Sequence, residues 1–403
     1  MFNCNFCNNP LEHVFVDLYH QPASNSFLSS EQLNEPEIYY PLKVFVCDKC
    51  FLVQVPEHKK ATEIFQDEYI YFSSQSPSNV EHAKESINIM VERFNLNENS
   101  FVVEIGSNDG YLLQHIYKKI PCIGIDPSKR CAEEAIRKGI ITLPKFFSSE
   151  LAKTIDKADL IYSINTLAHQ PDINDFVKGV KIALKPDGVA VFEFPYLQNL
   201  IDKCQYDTIY LEHYSYFSFM SVCTIFNQNG LTIFDVEQIP EHGGSLRIYA
   251  QHENRVYPES VNVAILLGGE VLNGMNTLLH YSGFKYKIAK VKTDLVSFLI
   301  RQKKYGKAVV GYGAAAKGNT LLGYCGIRSD LLPFIVDRSP HKQGKYTPGS
   351  HIKIVDEAEI KKYKPEYILI LAWNLCDEIE KQLSYARRWN VKFVVAIPEL
   401  TIW

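Results

Sequence analysis

Between residues 101 and 251, short runs rich in Val, Ile and Phe alternate with stretches of helical periodicity, and this alternation restricts the fold more than any other feature of the chain. Segments 101–105, 122–126, 140–143, 160–165 and 189–194 read as strands, with helices at 112–119 and 129–138 between them. Consecutive strands that each need a crossover build a parallel sheet covered by helices on both faces. A helix at 217–229 and strands at 231–237 and 246–251 bring that sheet to seven strands. Residues 260–304 are helical, and a second α/β alternation follows with strands at 308–311, 332–336, 367–371 and 393–397. Ahead of the first strand, Val80, Ala83, Ile87 and Val91 recur at helical spacing between Asn79 and Phe94. The predicted organisation is a small module over 1–75, an α/β core over 76–253 and a second α/β domain over 254–403.

A chain of 403 residues is long enough for several cores of this kind. It is 46% hydrophobic and 22% charged with net charge −4, so no basic field is present to hold nucleic acid or an anionic membrane. Apolar runs such as 368–373 fall far short of the roughly 20 residues a bilayer span requires. Polar Asn residues near the N-terminus stand where a signal peptide needs an apolar stretch. The expectation is a cytoplasmic protein with no membrane and no nucleic-acid partner.

The cysteines are of two kinds. Cys122, Cys131, Cys204, Cys223, Cys325 and Cys376 stand alone, whereas Cys4 and Cys7, and Cys47 and Cys50, form two C-x-x-C pairs. Each such turn presents two sulfurs to one metal, so in a reducing compartment the pairs predict four thiolates around a tetrahedral Zn²⁺. With every position filled by protein the site is structural. It would staple a module too small for a strong core.

Val103-Glu104-Ile105-Gly106-Ser107-Asn108-Asp109-Gly110-Tyr111 follows the first strand of the core and opens the next helix, so its backbone N–H groups can approach a ligand. Asp126 ends the second strand, beside that turn, where an acid can accept both hydroxyls of a ribose. These features suit NAD and S-adenosylmethionine alike. Glu104 favours the second, because it can meet the amino-acid part of that cofactor and would repel a pyrophosphate. The spacing E-x-G-x-x-x-G also departs from the dinucleotide G-x-G-x-x-G. The predicted cofactor site is Glu104, Gly106, Asn108, Asp109, Gly110, Asp126 and, at the end of the fourth strand, Asn165.

These motifs, with Tyr210-Leu-Glu-His-Tyr-Ser-Tyr-Phe-Ser218 and His242-Gly-Gly-Ser-Leu-Arg247 downstream, resemble those of the nucleotide-sugar C-methyltransferases. The cysteine module and Gly311-Tyr-Gly-Ala-Ala-Ala-Lys-Gly-Asn-Thr320 resemble theirs too, so the likeness spans nearly the whole chain. It implies a class I methyltransferase doubly wound sheet, flanked by a zinc-binding module and a C-terminal Rossmann-like domain. It also implies S-adenosylmethionine-dependent methylation of the carbon beside the ketone, commonly C3, of an NDP-4-keto-deoxysugar, in the biosynthesis of a branched-chain sugar.

Such chemistry demands a base for the carbon proton, groups that stabilise the enolate, and a water-poor cleft where methyl donor and carbanion meet in line. The resemblance gives the role of base to His213, with Tyr210, Glu212 and His169 as companions. Imidazole suits a general base at neutral pH. The Tyr210 hydroxyl can donate to the developing oxyanion, and Glu212 can orient or polarise a neighbour. Leu211 stands where the family usually carries a second histidine.

For the substrate, His242 and Arg247 are candidates for phosphate contact beside glycines that admit a ligand. Tyr71 and Ser73 match a Tyr-x-Ser-like segment of the family at the cleft, and Tyr214 is a candidate for its wall. Gly313 and Lys317 lie on the second glycine loop, between a strand and a helix, in a turn that suits a phosphate. Asp337 ends the following strand like an acid on a ribose. The residues alone leave a second dinucleotide open there, whereas the resemblance assigns the domain to the nucleotide diphosphate of the sugar. Two rival readings stand beside this one: an NAD-dependent nucleotide-sugar oxidoreductase, and a zinc-bearing binding module with vestigial sites. Three domains in one chain can close a site without a partner, so a monomer suffices.

Overall fold

The computed structural model describes residues 2–64, 72–253 and 256–403, and among these the chain forms three sheets. The N-terminal strands β1 (His13–Gln21), β2 (Tyr40–Val46) and β3 (Val53–Gln54) pair antiparallel. The central sheet takes β4 (Val102–Ile105), β5 (Cys122–Ile125), β6 (Thr142–Leu143), β7 (Ala158–Ile164) and β8 (Leu184–Pro195). A two-residue β9 (Ser215–Tyr216) leaves it to pair with β3, and β10 (Leu231–Ile239) and β11 (Ser245–His252) return to it. The C-terminal sheet holds β12 (Val309–Tyr312), β13 (Phe334–Val336), β14 (Lys353–Val355), β15 (Tyr367–Ile370), β16 (Lys392–Val395) and β17 (Thr401–Ile402).

The central order is β10-β11-β8-β7-β4-β5-β6, parallel from β4 to β8, with β11 antiparallel to both neighbours. This is the class I methyltransferase sheet that the resemblance implied. The C-terminal order, β14-β13-β12-β15-β16-β17, is parallel but for its last strand. Every residue of β4 is buried, as a central parallel strand covered on both faces requires. The helix Pro77–Arg93 starts where Ser76 accepts the Asn79 N–H and proline occupies its first turn. Ala83, Ile87 and Met90 form its buried stripe.

Two segments differ from expectation. The helix expected at 112–119 is a short 3₁₀ turn, Leu113–His115, inside a chain of overlapping turns. Its amides divide between i−4 and i−3 partners, the Gln114 N–H on the Gly110 carbonyl and the His115 N–H on the Leu112 carbonyl, so no regular α-helical ladder forms. The helical stretch 260–304 is three helices, Val261–Leu272, Leu278–Ser282 and Phe284–Lys304, with breaks at Gly274 (φ +78) and Gly283. The boundary expected at Asn254, like Tyr71, lies outside the described residues.

The N-terminal module borrows core from both domains. Phe15, Val44 and Val53 pack in one cluster with Phe284, Leu321 and Leu369, the rings of Phe15 and Phe284 stacking at 4.7 Å. Phe6, Leu11 and Leu52 join Phe176, Phe217 and Phe226 of the central domain. Among the described residues no helix is long and apolar enough to cross a membrane.

Candidate active site

The strand order reverses between β4 and β7, where an α/β sheet opens a crevice at its carboxyl edge. A cavity of about 340 Å³ fills it, lined by Gly106, Asn108, Asp126 and Asn165, with Ser73 and His82 also in its wall. Gly106 sits at φ +75, and a Cβ there would collide with the Thr166 hydroxyl, so the loop needs glycine. Asp126 accepts the Asn108 and Ser128 N–H groups at 2.9 Å each. An ionised carboxylate offers about four acceptor sites, which leaves two for the vicinal hydroxyls of a ribose. Burial, partly offset by those amides, lifts Asp126 to about 6.

Glu104 is fully buried, and neither carboxylate oxygen makes a full hydrogen bond to a described residue. Burial, then the charges of Asp126 and Asp109, hold it well above the usual carboxylate range, with slight relief from the Leu113 N–H. A buried acid short of donors is the complement of a cationic ligand. The cavity therefore fits S-adenosylmethionine, with Asp126 toward the ribose and Glu104 toward the positive charge of its amino-acid part.

Two residues of the predicted cofactor set face elsewhere. Asp109 is bound by the Ser74 N–H and hydroxyl and by Lys138 Nζ at 3.1 Å, so it fastens the segment ahead of the core onto the loop. Gly110 abuts Ile140 and Ala135 and serves packing.

A larger cavity of about 980 Å³ adjoins the first, and Asn79, Asn165, His169, His242, Asn374 and Leu375 line both. Its walls bring together Tyr210, Glu212, His213 and Lys317. The His213 ring lies 4.7 Å from that of His169 and 4.0 Å from that of Tyr210, centroid to centroid. His213 Nδ1 is 3.0 Å from the Thr208 carbonyl and His169 Nδ1 is 2.7 Å from the Glu212 carbonyl. A carbonyl only accepts, so each Nδ1 carries the proton and Nε2 is the basic nitrogen. Burial lowers His169 to about 4 against the pull of the Glu212 carbonyl. Burial, then the neighbouring His169, drives His213 well below the usual imidazole range. Glu212 takes the Asn25 amide on both oxygens at 2.8 and 2.9 Å, yet burial lifts it to about 7.

The predicted substrate residues divide. Ser73 lines the first cavity and donates its N–H to Asn108 Oδ1 at 2.8 Å. His242, held at φ +56, lines both, and burial, then Lys317 and His82, lowers it to about 4. Tyr214 is buried and donates its hydroxyl to the Lys59 carbonyl at 2.9 Å, bracing the wall from behind. Arg247 lines neither cavity; its guanidinium is committed to Glu193 at 2.8 Å, Glu237 at 3.0 Å and Ser86 at 2.6 Å rather than to a phosphate. Gly313, at φ +90, donates to the Val336 carbonyl at 2.7 Å and shapes the second loop. Asp337 repeats the pattern of Asp126, accepting the Ala314 and Ser339 amides at 2.8 and 2.9 Å. Beside it stands Lys342 at 3.5 Å, so a cation occupies the neighbourhood where a ribose would lie in a second dinucleotide site.

Several residues of the cleft carry no local signal. Asn25, Lys59 and Glu63 reach it from the N-terminal module. His82 has Glu193 2.6 Å from Nε2 and Glu241 3.1 Å from Nδ1, so both nitrogens donate. Burial opposes that charge, but the two carboxylates prevail and raise its pKa. Asn374 and Leu375 follow β15, and the carboxyl-edge rule applied to the second sheet points to them.

At the other end of the chain, the sulfurs of Cys4, Cys7, Cys47 and Cys50 lie within 4.8 Å of one another. Cys4 and Cys50 are 3.6 Å apart, and Cys7 and Cys47 3.5 Å. Zn–S bonds of about 2.3 Å in a tetrahedron set sulfurs roughly 3.8 Å apart, so the cage fits Zn²⁺.

Comparison with known proteins covers the chain in three consecutive matches: a zinc binding domain over 4–65, a methyltransferase domain over 81–236 and a C-methyltransferase C-terminal domain over 240–398. C-methyltransferase NovU of Streptomyces niveus is 33% identical over 401 residues, 98% of this chain and 95% of that one. Among solved structures, an S-adenosylmethionine dependent methyltransferase from Mesorhizobium loti is 16% identical, covering 43% of this chain and all of its own, with a TM-score of 0.35. Magnesium protoporphyrin IX methyltransferase of Synechocystis, solved with S-adenosylmethionine bound, is 16% identical, covering 47% of this chain and 88% of its own, with a TM-score of 0.34. The oxidoreductase and binding-module readings give way. With a cofactor cavity, a four-thiolate cage and a relative matched from end to end, the chain belongs to the C-methyltransferase family, as an S-adenosylmethionine-dependent enzyme with a zinc-binding module at its N-terminus.

Proposed function

We propose that the enzyme methylates the carbon beside the ketone, C3, of an NDP-4-keto-deoxysugar through an enolate, with His213 as the base. The observation that supports this reading is the shared wall of the two cavities, where Asn165, His169 and His242 line both. His213 is uncharged, and its Nε2 is the basic atom because Nδ1 is committed to Thr208. Tyr210 packs against that ring at a tilt, with centroids 4.0 Å apart, and Glu212, with its pKa near 7, can orient or polarise a neighbouring donor as charge develops on the ketone oxygen. S-adenosylmethionine, when bound, supplies an electrophilic methyl group.

The nucleotide end of the substrate is assigned to residues 254–403. Lys317, Lys342 and Lys345 line the larger cavity together with Arg130 of the central domain, a cationic set suited to a diphosphate. The product is a branched-chain deoxysugar nucleotide. The test is incubation with NDP-4-keto-deoxysugars and S-adenosylmethionine, with the product followed by NMR. In D₂O without the methyl donor, wild-type enzyme should exchange the C3 proton and His213→Ala should not. No exchange and no methylated sugar from any such substrate would overturn the reading.

A further inference from the structure

Trp373 lies just past β15, in neither glycine loop nor the histidine cluster, yet three parts of the cleft converge on it. Its indole N–H donates to Asp207 Oδ2 at 2.7 Å. Lys317 Nζ sits 4.8 Å from the ring centroid and donates to Asn374 Oδ1 at 2.6 Å. The ring also presses on Gly243, where φ is +92 and a Cβ would come within 2.5 Å of Cη2. Gly243 follows His242, and its carbonyl accepts the Gln205 side-chain amide at 2.9 Å.

Asp207 is fully buried, and its Oδ1 has no hydrogen-bond partner among the described residues; the indole N–H is its side-chain donor, beside the charge of Lys317 and the backbone amides of the 207–208 turn. The next residue is Thr208. Its carbonyl receives the His213 Nδ1 proton, and its hydroxyl donates to the Gln205 carbonyl at 2.7 Å. A continuous path therefore runs from Lys317 over the indole to Asp207, and through one peptide to the group that sets the tautomer and tilt of His213.

We propose that Trp373 is a positioning residue that ties the seating of an anionic substrate group on Lys317 to the orientation of His213. This rests on the reading of His213 as base. The indole does two jobs at once: its face carries the cation and its edge carries the carboxylate. An anion that takes Lys317 changes what rests on that face, and the edge transmits the adjustment to the 206–208 turn. A merely structural tryptophan would need the ring and not the N–H.

Trp373→Phe removes the N–H together with part of the ring system that faces Gly243, so Asp207→Ala, which leaves the whole indole against Gly243 and Lys317, is measured beside it. The expected result is a kcat lowered about tenfold with the KM for S-adenosylmethionine within about twofold of wild type. In the His213→Ala background the same change should have no further effect on the residual rate, since the path ends at that imidazole. Where Trp373→Phe does not fold, Asp207→Ala carries the test alone, with the same outcomes. A wild-type kcat for the variant, or a loss that persists undiminished in the His213→Ala background, overturns the proposal. Full activity of His213→Ala itself sinks the assignment of the base, and with it the role given to Trp373.

Discussion

The side-chain amide of Asn25 spans both oxygens of Glu212, at 2.8 and 2.9 Å, across a separation of 187 residues. Through this contact the zinc-bearing module reaches into the cleft and restrains a carboxylate that burial has lifted to about 7. Asn25→Ala withdraws a contact that favours the ionised form. The Glu212 pKa should then rise by about one unit, and kcat at about pH 7, which follows the ionised fraction, should fall roughly fivefold. The check is the pH–rate profile, in which the limb governed by Glu212 moves to higher pH; an unmoved limb would assign that titration elsewhere.

Glu104 makes a stability prediction of definite sign. Its folded pKa lies above its unfolded value, so its favourable contribution is present at low pH and is lost as pH rises. Glu104→Gln keeps the shape and abolishes the titration. Without cofactor, the variant should melt higher than wild type at pH 8, by roughly 2–5 °C, and no higher at pH 4. The same variant should bind S-adenosylmethionine more weakly, because the cationic end of the cofactor loses its counter-charge. Melting curves at the two pH values and calorimetric titration decide both halves.

Chelation should separate the module from the cofactor site. Zinc analysis should return one ion per chain, and Cys47→Ser should abolish it. Stripped enzyme should lose methyl transfer more than it loses S-adenosylmethionine affinity. Asn25 and Lys59 belong to the metal-dependent module, whereas Gly106, Asp126 and Asn165 belong to the central domain. Equal loss of both would mean that the two regions unfold as one.

Gly106→Ala is the sharpest probe of the cofactor loop. Alanine at φ +75 is strained by roughly 1–2 kcal/mol. Its methyl would also meet Thr166. S-adenosylmethionine affinity should fall at least about tenfold, read by calorimetry, with the Cys4–Cys50 cage still loaded.

What the sequence made legible is what short spacing encodes. The alternation of strands and helices foretells the central sheet, and the paired cysteines foretell the cage. Glu104, Gly106 and Asp126 sit within one strand-turn-strand unit, so their convergence follows from local geometry. Asn25, His82 and Trp373 were not legible, because their partners Glu212, Glu193 and Asp207 are brought to them only by tertiary packing. Arg247 shows the opposite error: a motif that reads as a phosphate contact turns inward, where the buried Glu193 demands a cation. The helix expected after the first glycine loop is instead a 3₁₀ turn, its amides divided between i−3 and i−4 carbonyls.

The two residues of β9 lie immediately downstream of His213, yet they hydrogen-bond to β3 of the N-terminal sheet, Ser215 opposite Gln54 and Tyr216 opposite Val53. Recombination between relatives cannot therefore treat the first 75 residues as an interchangeable cassette. A chimera joined at that seam would bring a foreign strand edge against 214–216, and the mismatch would be felt at the base before it was felt anywhere else. Shuffled libraries of this family should accordingly inherit the module and the 207–218 segment from a single parent.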